Sequence, residues 1–103
     1  MLMSPYKYIV KSRAQQKIRS FYQNVGRKYK HTYDAADFKR NVFDALKDIY
    51  RIENGLLRRE PTLDRWKDKG YNMANTDKWY YAYTFDGETV TVVDACHAQN
   101  MHE

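Results

Sequence analysis

A predicted β-hairpin near the C-terminus carries the side chains best suited to chemistry. An Asp-Gly pair at 86–87, between runs of β-branched and aromatic residues, predicts that residues 78–85 and 89–97 pair as two strands. This pairing brings Lys78, at the start of one strand, close to His97, at the end of the other. Cleavage of RNA without metal needs an acid, a base and a cation, and histidine titrates near neutral pH. His97 and Lys78 are therefore the candidate catalytic residues.

His97 has two other interpretations: it could hydrogen-bond a backbone carbonyl at the strand end, or contact a partner. Cys96 is not a nucleophile for it, because adjacent strand residues point to opposite faces. We predict that Cys96 is a small buried side chain. His31, His97 and His102 lack metal-ligand spacing on any one element, so we expect no metal and no cofactor.

Candidate nucleic-acid-binding residues precede the hairpin, in residues 56–70, where Pro61 blocks regular structure. The basic side chains that could hold phosphate there are Arg58, Arg59, Arg65, Lys67 and Lys69. Tyr80 or an exposed Trp66 could stack on unpaired bases, and Asn100 follows the last strand.

The net charge of +5 is unevenly distributed. Residues 1–33 hold eight Lys and Arg and no acidic residue, whereas the remainder holds ten against thirteen Asp and Glu. A one-sided basic surface suggests a nucleic acid or an acidic protein partner. The alternative is an ordinary solvated helix face.

The 103 residues predict a single domain, 1–103. No run approaches the roughly 20 apolar residues of a membrane span, and the N-terminus lacks the features of a signal peptide. One cysteine forms no internal disulfide. We therefore expect a cytoplasmic protein without membrane contact.

Two amphipathic helices follow a strand at residues 6–11. Ser12 and Gln15 resemble a capping box for a helix over about 13–30, with apolar residues on one face and basic residues on the other. Asp34 is the predicted N-cap of a second helix, which continues to about Glu53 and stops at Asn54-Gly55.

The element order is thus β-α-α-β-β-β, an α+β fold with a helical hairpin packed on one face of a small antiparallel sheet. Alternation along the first hairpin strand assigns four aromatic residues to the helix side: Trp79, Tyr81, Tyr83 and Phe85. Tyr80 then lies on the other face, which is either plain solvent-exposed sheet or a surface for nucleic acid or a partner.

Three segments resemble the RelE/ParE superfamily of bacterial type II toxin–antitoxin systems. Residues 55–61 (GLLRREP) resemble its link out of the second helix, residues 79–90 (WYYAYTFDGETV) resemble its hairpin, and residues 92–97 (VVDACH) are similar to ParE-like endings. The ribonuclease members carry arginines on the strand before the hairpin and after its last strand. Here residues 71–75 and 98–100 hold none, and only Lys78 matches a basic position.

The resemblance implies a toxin-like protein that inhibits growth by acting on mRNA and translation or on DNA gyrase. Its partners would be a cognate antitoxin and a target, which is either the ribosome with mRNA or DNA gyrase. The chain could also form a homodimer. If the chain is an enzyme, the resemblance implies a metal-independent endoribonuclease. The alternative hypothesis is a non-catalytic nucleic-acid-binding or protein-interaction module on the same fold.

Overall fold

The computed structural model describes residues 6–29, 31–50, 58–59, 61–76 and 78–101, without the side chains at 58 and 59. The elements, in chain order, are β1 (Lys7–Val10), α1 (Ser12–Lys28), α2 (Ala35–Ile49), β2 (Arg58–Arg59), α3 (Asp64–Lys67), β3 (Asn72–Asn75), β4 (Trp79–Phe85), β5 (Thr89–His97) and a 3₁₀ turn (Ala98–Asn100). The predicted α+β class is confirmed. None of the described helices is long and apolar enough to cross a membrane.

The five strands form one sheet in the order β1-β5-β4-β3-β2. The four strands from β2 to β5 pair antiparallel, as predicted. β1 pairs with β5 in parallel, so the sheet is mixed rather than purely antiparallel. Parallel neighbours need a long crossover, and the two helices lie in the chain between these strands.

A β-bulge interrupts the pairing of β4 with β5. Ala82 pairs with Asp94, but the next residue, Tyr83, pairs with Val92. Val93 is therefore an extra residue on β5, and the alternation of side chains between the two faces reverses across it.

The first core lies between the helices and one sheet face. The α1 and α2 residues buried in it lie on the predicted apolar faces: Ala14, Ile18, Tyr22, Val42, Ala45 and Ile49. Trp79, Tyr81 and Tyr83 face them, as predicted. Phe85 does not reach this core, because it lies next to the β4–β5 turn, where it is 43% exposed and packs edge-on against Tyr6.

A second core covers the opposite sheet face. Part of it comes from residues 56–70, which were predicted to be irregular. β2 and α3 both lie in that stretch. Leu63 and Trp66 pack there against Met73, Ala82 and Cys96, all of them buried. The face that carries Tyr80 is therefore partly covered by the chain itself, and Cys96 is the small buried side chain that we predicted.

Of the two N-caps predicted from the sequence, one is present in the structure. Ser12 is the first residue of α1 and makes no capping bond; Lys11 occupies the cap position, also without a side-chain bond. The predicted Ser12 capping box is wrong, because the Gln15 side chain instead donates to the Val10 carbonyl, at 3.0 Å. Asp34 does cap α2, forming a reciprocal box with Asp37. The predicted stop at 54–55 lies outside the described residues.

Gly87 alone among the turn residues has a positive φ, of 96°. The Asp86 side chain accepts bonds from the N–H groups of Glu88 and Thr89, at 2.9 and 2.8 Å. The Asp86 N–H also points to the Thr89 carbonyl, at 3.4 Å, so the tight loop is Gly87-Glu88 and starts one residue later than predicted. The left-handed conformation falls on glycine, which adopts it without steric cost.

The two helix starts give a matched test of capping. Asp34→Ala removes the side chain that accepts the Asp37 N–H at 2.9 Å, and we expect it to lower the free energy of unfolding by about 1 kcal/mol. Ser12→Ala removes no capping bond, and its free energy of unfolding should equal the wild-type value in the same urea titration. Equal losses from both substitutions would contradict these cap assignments.

Candidate functional site

His97 lies at the end of β5 on the sheet face that carries α1. Its ring stacks on Phe21 of α1, with ring centroids 3.9 Å apart and planes 10° apart. Trp79, its partner on β4, meets the ring edge-on at 5.2 Å. The imidazole is thus held between two aromatic rings and keeps one edge toward a cleft.

The ring nitrogens of His97 have different roles. Nδ1 accepts the backbone N–H of Gln99, at 3.2 Å. In the neutral ring the proton is therefore assigned to Nε2, which is a hydrogen-bond donor. Burial lowers the pKa of His97 below its usual 6.5, and the nearby Lys78 ammonium lowers it further. His97 is accordingly neutral at physiological pH.

A cleft of about 610 Å³, here called the His97 cleft, separates the second half of α1 from the ends of β4 and β5. Two cations, Lys28 and Lys78, line it together with His97. Amide side chains supply most of its other polar groups: Asn24, Asn41, Gln99 and Asn100. No described residue that lines the cleft is acidic, so its charge is positive.

A smaller cavity of about 130 Å³, here called the side pocket, adjoins the cleft. Phe21, His97 and Asn100 line both cavities. Lys17 and Arg65 add two more cations, and again no described lining residue is acidic. Positive charge therefore flanks His97 on both sides.

The acidic residues near the cleft lie beyond Lys78, on α2. Asp44 and Asp48 line a further cavity of about 210 Å³, which adjoins the cleft and shares Tyr22, Asn41 and Lys78 with it. Lys78 thus stands between an acidic cavity and the basic cleft.

Three of the predicted site residues meet in the His97 cleft: His97, Lys78 and Asn100. The hairpin pairing that we inferred does bring Lys78 to His97, and the N–H of the next residue, Ala98, bonds the Lys78 carbonyl at 2.8 Å. Arg65 lines the side pocket together with the same histidine.

The other predicted residues lie away from the cleft. Arg58 and Arg59 belong to β2, at the far edge of the sheet from β1. Lys67 is exposed on α3, and Lys69 follows it in a turn. Tyr80 is half-buried and packs against the second core.

Trp66 was predicted to be an exposed stacking residue, and this is wrong. It is 1% exposed, because its indole N–H donates to the buried carboxylate of Asp94, at 3.0 Å. A tryptophan held in this way cannot stack on a base.

Phe21, Lys17 and Lys28 are site residues that the sequence analysis missed. All three lie on α1, and positions 17, 21, 24 and 28 fall on one face of a helix, within an arc of about 60°. A search for basic and aromatic residues at that spacing would have found them.

Asp94 was also missed. Its side chain is 6% exposed and lies near two arginines, with Oδ1 3.6 Å from Arg13 Nε and Oδ2 3.8 Å from Arg65 Nε. The bulge at Val93 places it on the face opposite the first core. It thereby joins α1 to α3 across the edge of the site.

Within the described ranges, no three His, Cys, Asp or Glu side chains group as metal ligands would. The chemistry that this site can provide from its own residues is hydrogen-bond donation, positive charge and ring stacking.

Comparison with known proteins leaves the family of the chain open. No protein-family model matches it, and no curated protein or solved structure matches it either.

The depressed pKa of His97 predicts a pH dependence of stability. Unfolded His97 titrates near 6.5 and the folded form titrates lower, so between these values the unfolded chain binds more protons. The contribution of His97 is complete above pH 6.5 and is lost as the pH falls toward the folded pKa. Urea titrations should show this loss, and NMR should give a His97 pKa below 6.5.

His97→Gln is the matched variant, because it removes the titrating group. Its free energy of unfolding should fall less steeply with decreasing pH over the same window. An identical pH slope in the two proteins, or a measured His97 pKa above 6.5, would contradict the proposed environment.

Proposed function

We propose that this chain is a RelE/ParE-like toxin that inhibits growth by binding single-stranded RNA in the His97 cleft. The observation that carries the proposal is the charge around His97. Four cations line two adjoining cavities that share this residue, and none of their described lining residues is acidic. The four are Lys17, Lys28, Arg65 and Lys78. Polyanions bind such surfaces by neutralising phosphates and releasing counterions.

Ring stacking and amide groups favour an unpaired strand over a duplex. Recognition of single-stranded RNA relies on aromatic faces for the bases and on donors and acceptors for their edges. The stacked Phe21–His97 pair and the four cleft amides supply both kinds of group. The volume of about 610 Å³ falls in the range of small-ligand sites, which suits individual nucleotides.

His97 serves in this proposal as a neutral donor. Its Nε2–H donates a hydrogen bond to a phosphate oxygen, while Nδ1 continues to accept the backbone N–H of Gln99. The Lys78 ammonium supplies the charge beside it. Neither group needs to change protonation for RNA to bind near neutral pH.

RNA binding tests this proposal directly. Lys28→Ala and Lys78→Ala each remove one cation from the cleft, so each should weaken binding of a fluorescent octauridylate several-fold. Loss of one phosphate contact should also reduce the slope of log K against log salt by about 0.7. Fluorescence anisotropy at several salt concentrations measures both quantities.

Lys47→Ala is the matched control, since Lys47 is exposed on α2 and lines none of the three cavities described above. It should bind RNA like the wild type. Wild-type protein that binds no RNA, or equal losses from all three substitutions, would contradict an RNA site at this cleft.

Cleavage of the bound RNA is a second candidate, favoured by the position of Lys78 at His97. The 2′-hydroxyl would attack the adjacent phosphate and give its proton to a water molecule, and Lys78 would stabilise the negative charge on the phosphorane. The P–O5′ bond would then break as protonated His97 donates a proton from Nε2 to the leaving 5′-oxygen. The sequence left the acid and base roles of His97 open. Either role breaks the bond from the Gln99 N–H to Nδ1, because a base role moves the ring proton from Nε2 to Nδ1 and the imidazolium of the acid carries a proton on both nitrogens.

The acid role fixes the direction of the pH profile. His97 must be protonated to act, and its pKa lies below 6.5, so the cleavage rate should rise as the pH falls from 8 through 6.5. His97→Ala should abolish cleavage without abolishing RNA binding. A rate that falls with decreasing pH, or undiminished cleavage by His97→Ala, would rule out this role; binding without cleavage supports the non-catalytic module.

Growth inhibition tests the toxin assignment itself. Expression of the chain alone in a bacterium should slow growth, and co-expression of a small neighbouring reading frame, the proposed antitoxin, should restore it. Action on mRNA predicts impaired translation, whereas a gyrase poison predicts a DNA-damage response with intact messages. Normal growth at high expression of folded protein would contradict a toxin.

A further inference from the structure

A third basic cavity, here called the outer pocket, lies beyond Arg65. It has a volume of about 230 Å³ and is lined by Arg13 of α1, Arg65 of α3 and Lys69, with Tyr71 among its other residues. Arg65 also lines the side pocket, so this one side chain joins the outer pocket to the cavities at His97. The outer pocket is thus the far end of a continuous series of three cavities.

Asp94 connects several of the residues that line the outer pocket. It accepts the Trp66 indole N–H and the backbone N–H of Ala95, and it faces the Nε atoms of Arg13 and Arg65. Its own side chain is 6% exposed, whereas those of Arg13 and Arg65 are 65% and 40% exposed. The carboxylate is therefore buried beneath two guanidinium groups that still reach solvent.

This arrangement favours an external anion. The planar fork of N–H donors on a guanidinium group matches the geometry of a phosphate group. Lys69 contributes a third positive charge to the lining of the pocket.

The charge along the three cavities is strongly one-sided. Their described lining residues include six Lys and Arg, and the single carboxylate is the buried Asp94. The six are Arg13, Lys17, Lys28, Arg65, Lys69 and Lys78. A chain with a regular series of negative charges matches such a path better than a small isolated anion does.

We propose that the outer pocket is a second phosphate site, which holds the RNA strand at a phosphate beyond the one at His97. The inference rests on the proposed RNA-binding function and extends it. The substrate is then an extended single strand that runs from the His97 cleft past Arg65 to Arg13 and Lys69. A dinucleotide reaches the cleft but not the outer pocket.

Oligouridylates of two, four and eight nucleotides test the proposal by fluorescence anisotropy. Wild-type protein should bind the octamer more tightly than the dimer. Lys69→Ala should weaken octamer binding several-fold, with a salt slope smaller by about 0.7, and leave dimer binding unchanged. Arg13→Ala should do the same, and Lys47→Ala, the control outside these cavities, should change neither length.

Urea titration of each variant keeps the comparison valid, because Arg13 contacts the buried Asp94. Lys69 makes no such contact with Asp94 and is exposed, so Lys69→Ala remains informative even if Arg13→Ala is destabilised. If cleavage occurs, loss of the outer pocket should raise KM for the octamer and leave kcat unchanged.

The binding data distinguish failure of the second phosphate site from failure of the proposed RNA-binding function. If wild-type protein binds RNA but Lys69→Ala binds the octamer equally well, the outer site is wrong and the RNA-binding function stands. If wild-type protein binds no RNA of any length, both are wrong. If Lys69 is required for an acidic peptide such as oligoglutamate but not for the octamer, the pocket recognises an acidic protein segment instead of RNA.

Discussion

The extra residue at Val93 determines which side chains of β5 lie on each face of the sheet. Before it, Val90 and Val92 face the helices; after it, Ala95 and His97 do. Without the bulge, regular alternation would continue from Val92, turn the Asp94 carboxylate into the helix-side core, and point His97 away from α1. An unpaired charge in that core would cost several kcal/mol. The bulge thus places the acid beneath the arginines and the imidazole in the cleft, and both features of the proposed site depend on it.

Hydrogen bonds between aromatic side chains and the helices fix the geometry around His97. The Trp79 indole N–H donates to the Tyr22 hydroxyl of α1 at 3.0 Å, and the Tyr81 hydroxyl donates to the Ala45 carbonyl of α2. Both bonds are buried, where an unmade bond would leave a polar group unsatisfied at a cost of about 1–3 kcal/mol. The first bond joins α1 to β4 beside the Phe21–His97 stack, and the second joins α2 to β4, so contacts of the core also position the walls of the cleft.

The sequence predicts the larger part of this fold, because the spacing of apolar residues along a helix or strand indicates which side chains are buried. It identified the apolar faces of both helices, the hairpin, the Asp34 cap and the approach of Lys78 to His97. It missed α3 and β2, since Pro61 and dense charge look like a loop, and the second core depends on contacts with distant residues. It also missed the bulge, which no residue type at Val93 signals, and with it the position of Asp94. The outer pocket unites α1, α3 and β5, a proximity that only the tertiary structure establishes.

RNA is proposed to follow the basic cavities on either side of His97. This path is tested most directly by titrating ¹⁵N-labelled protein with unlabelled octauridylate and mapping the chemical-shift changes onto the described residues. We expect changes concentrated at the facing residues of α1, at α3 and at residues 97–100, with little change on the outward face of α2 around Lys47. Changes concentrated on α2, or scattered without relation to the three cavities, would contradict this path.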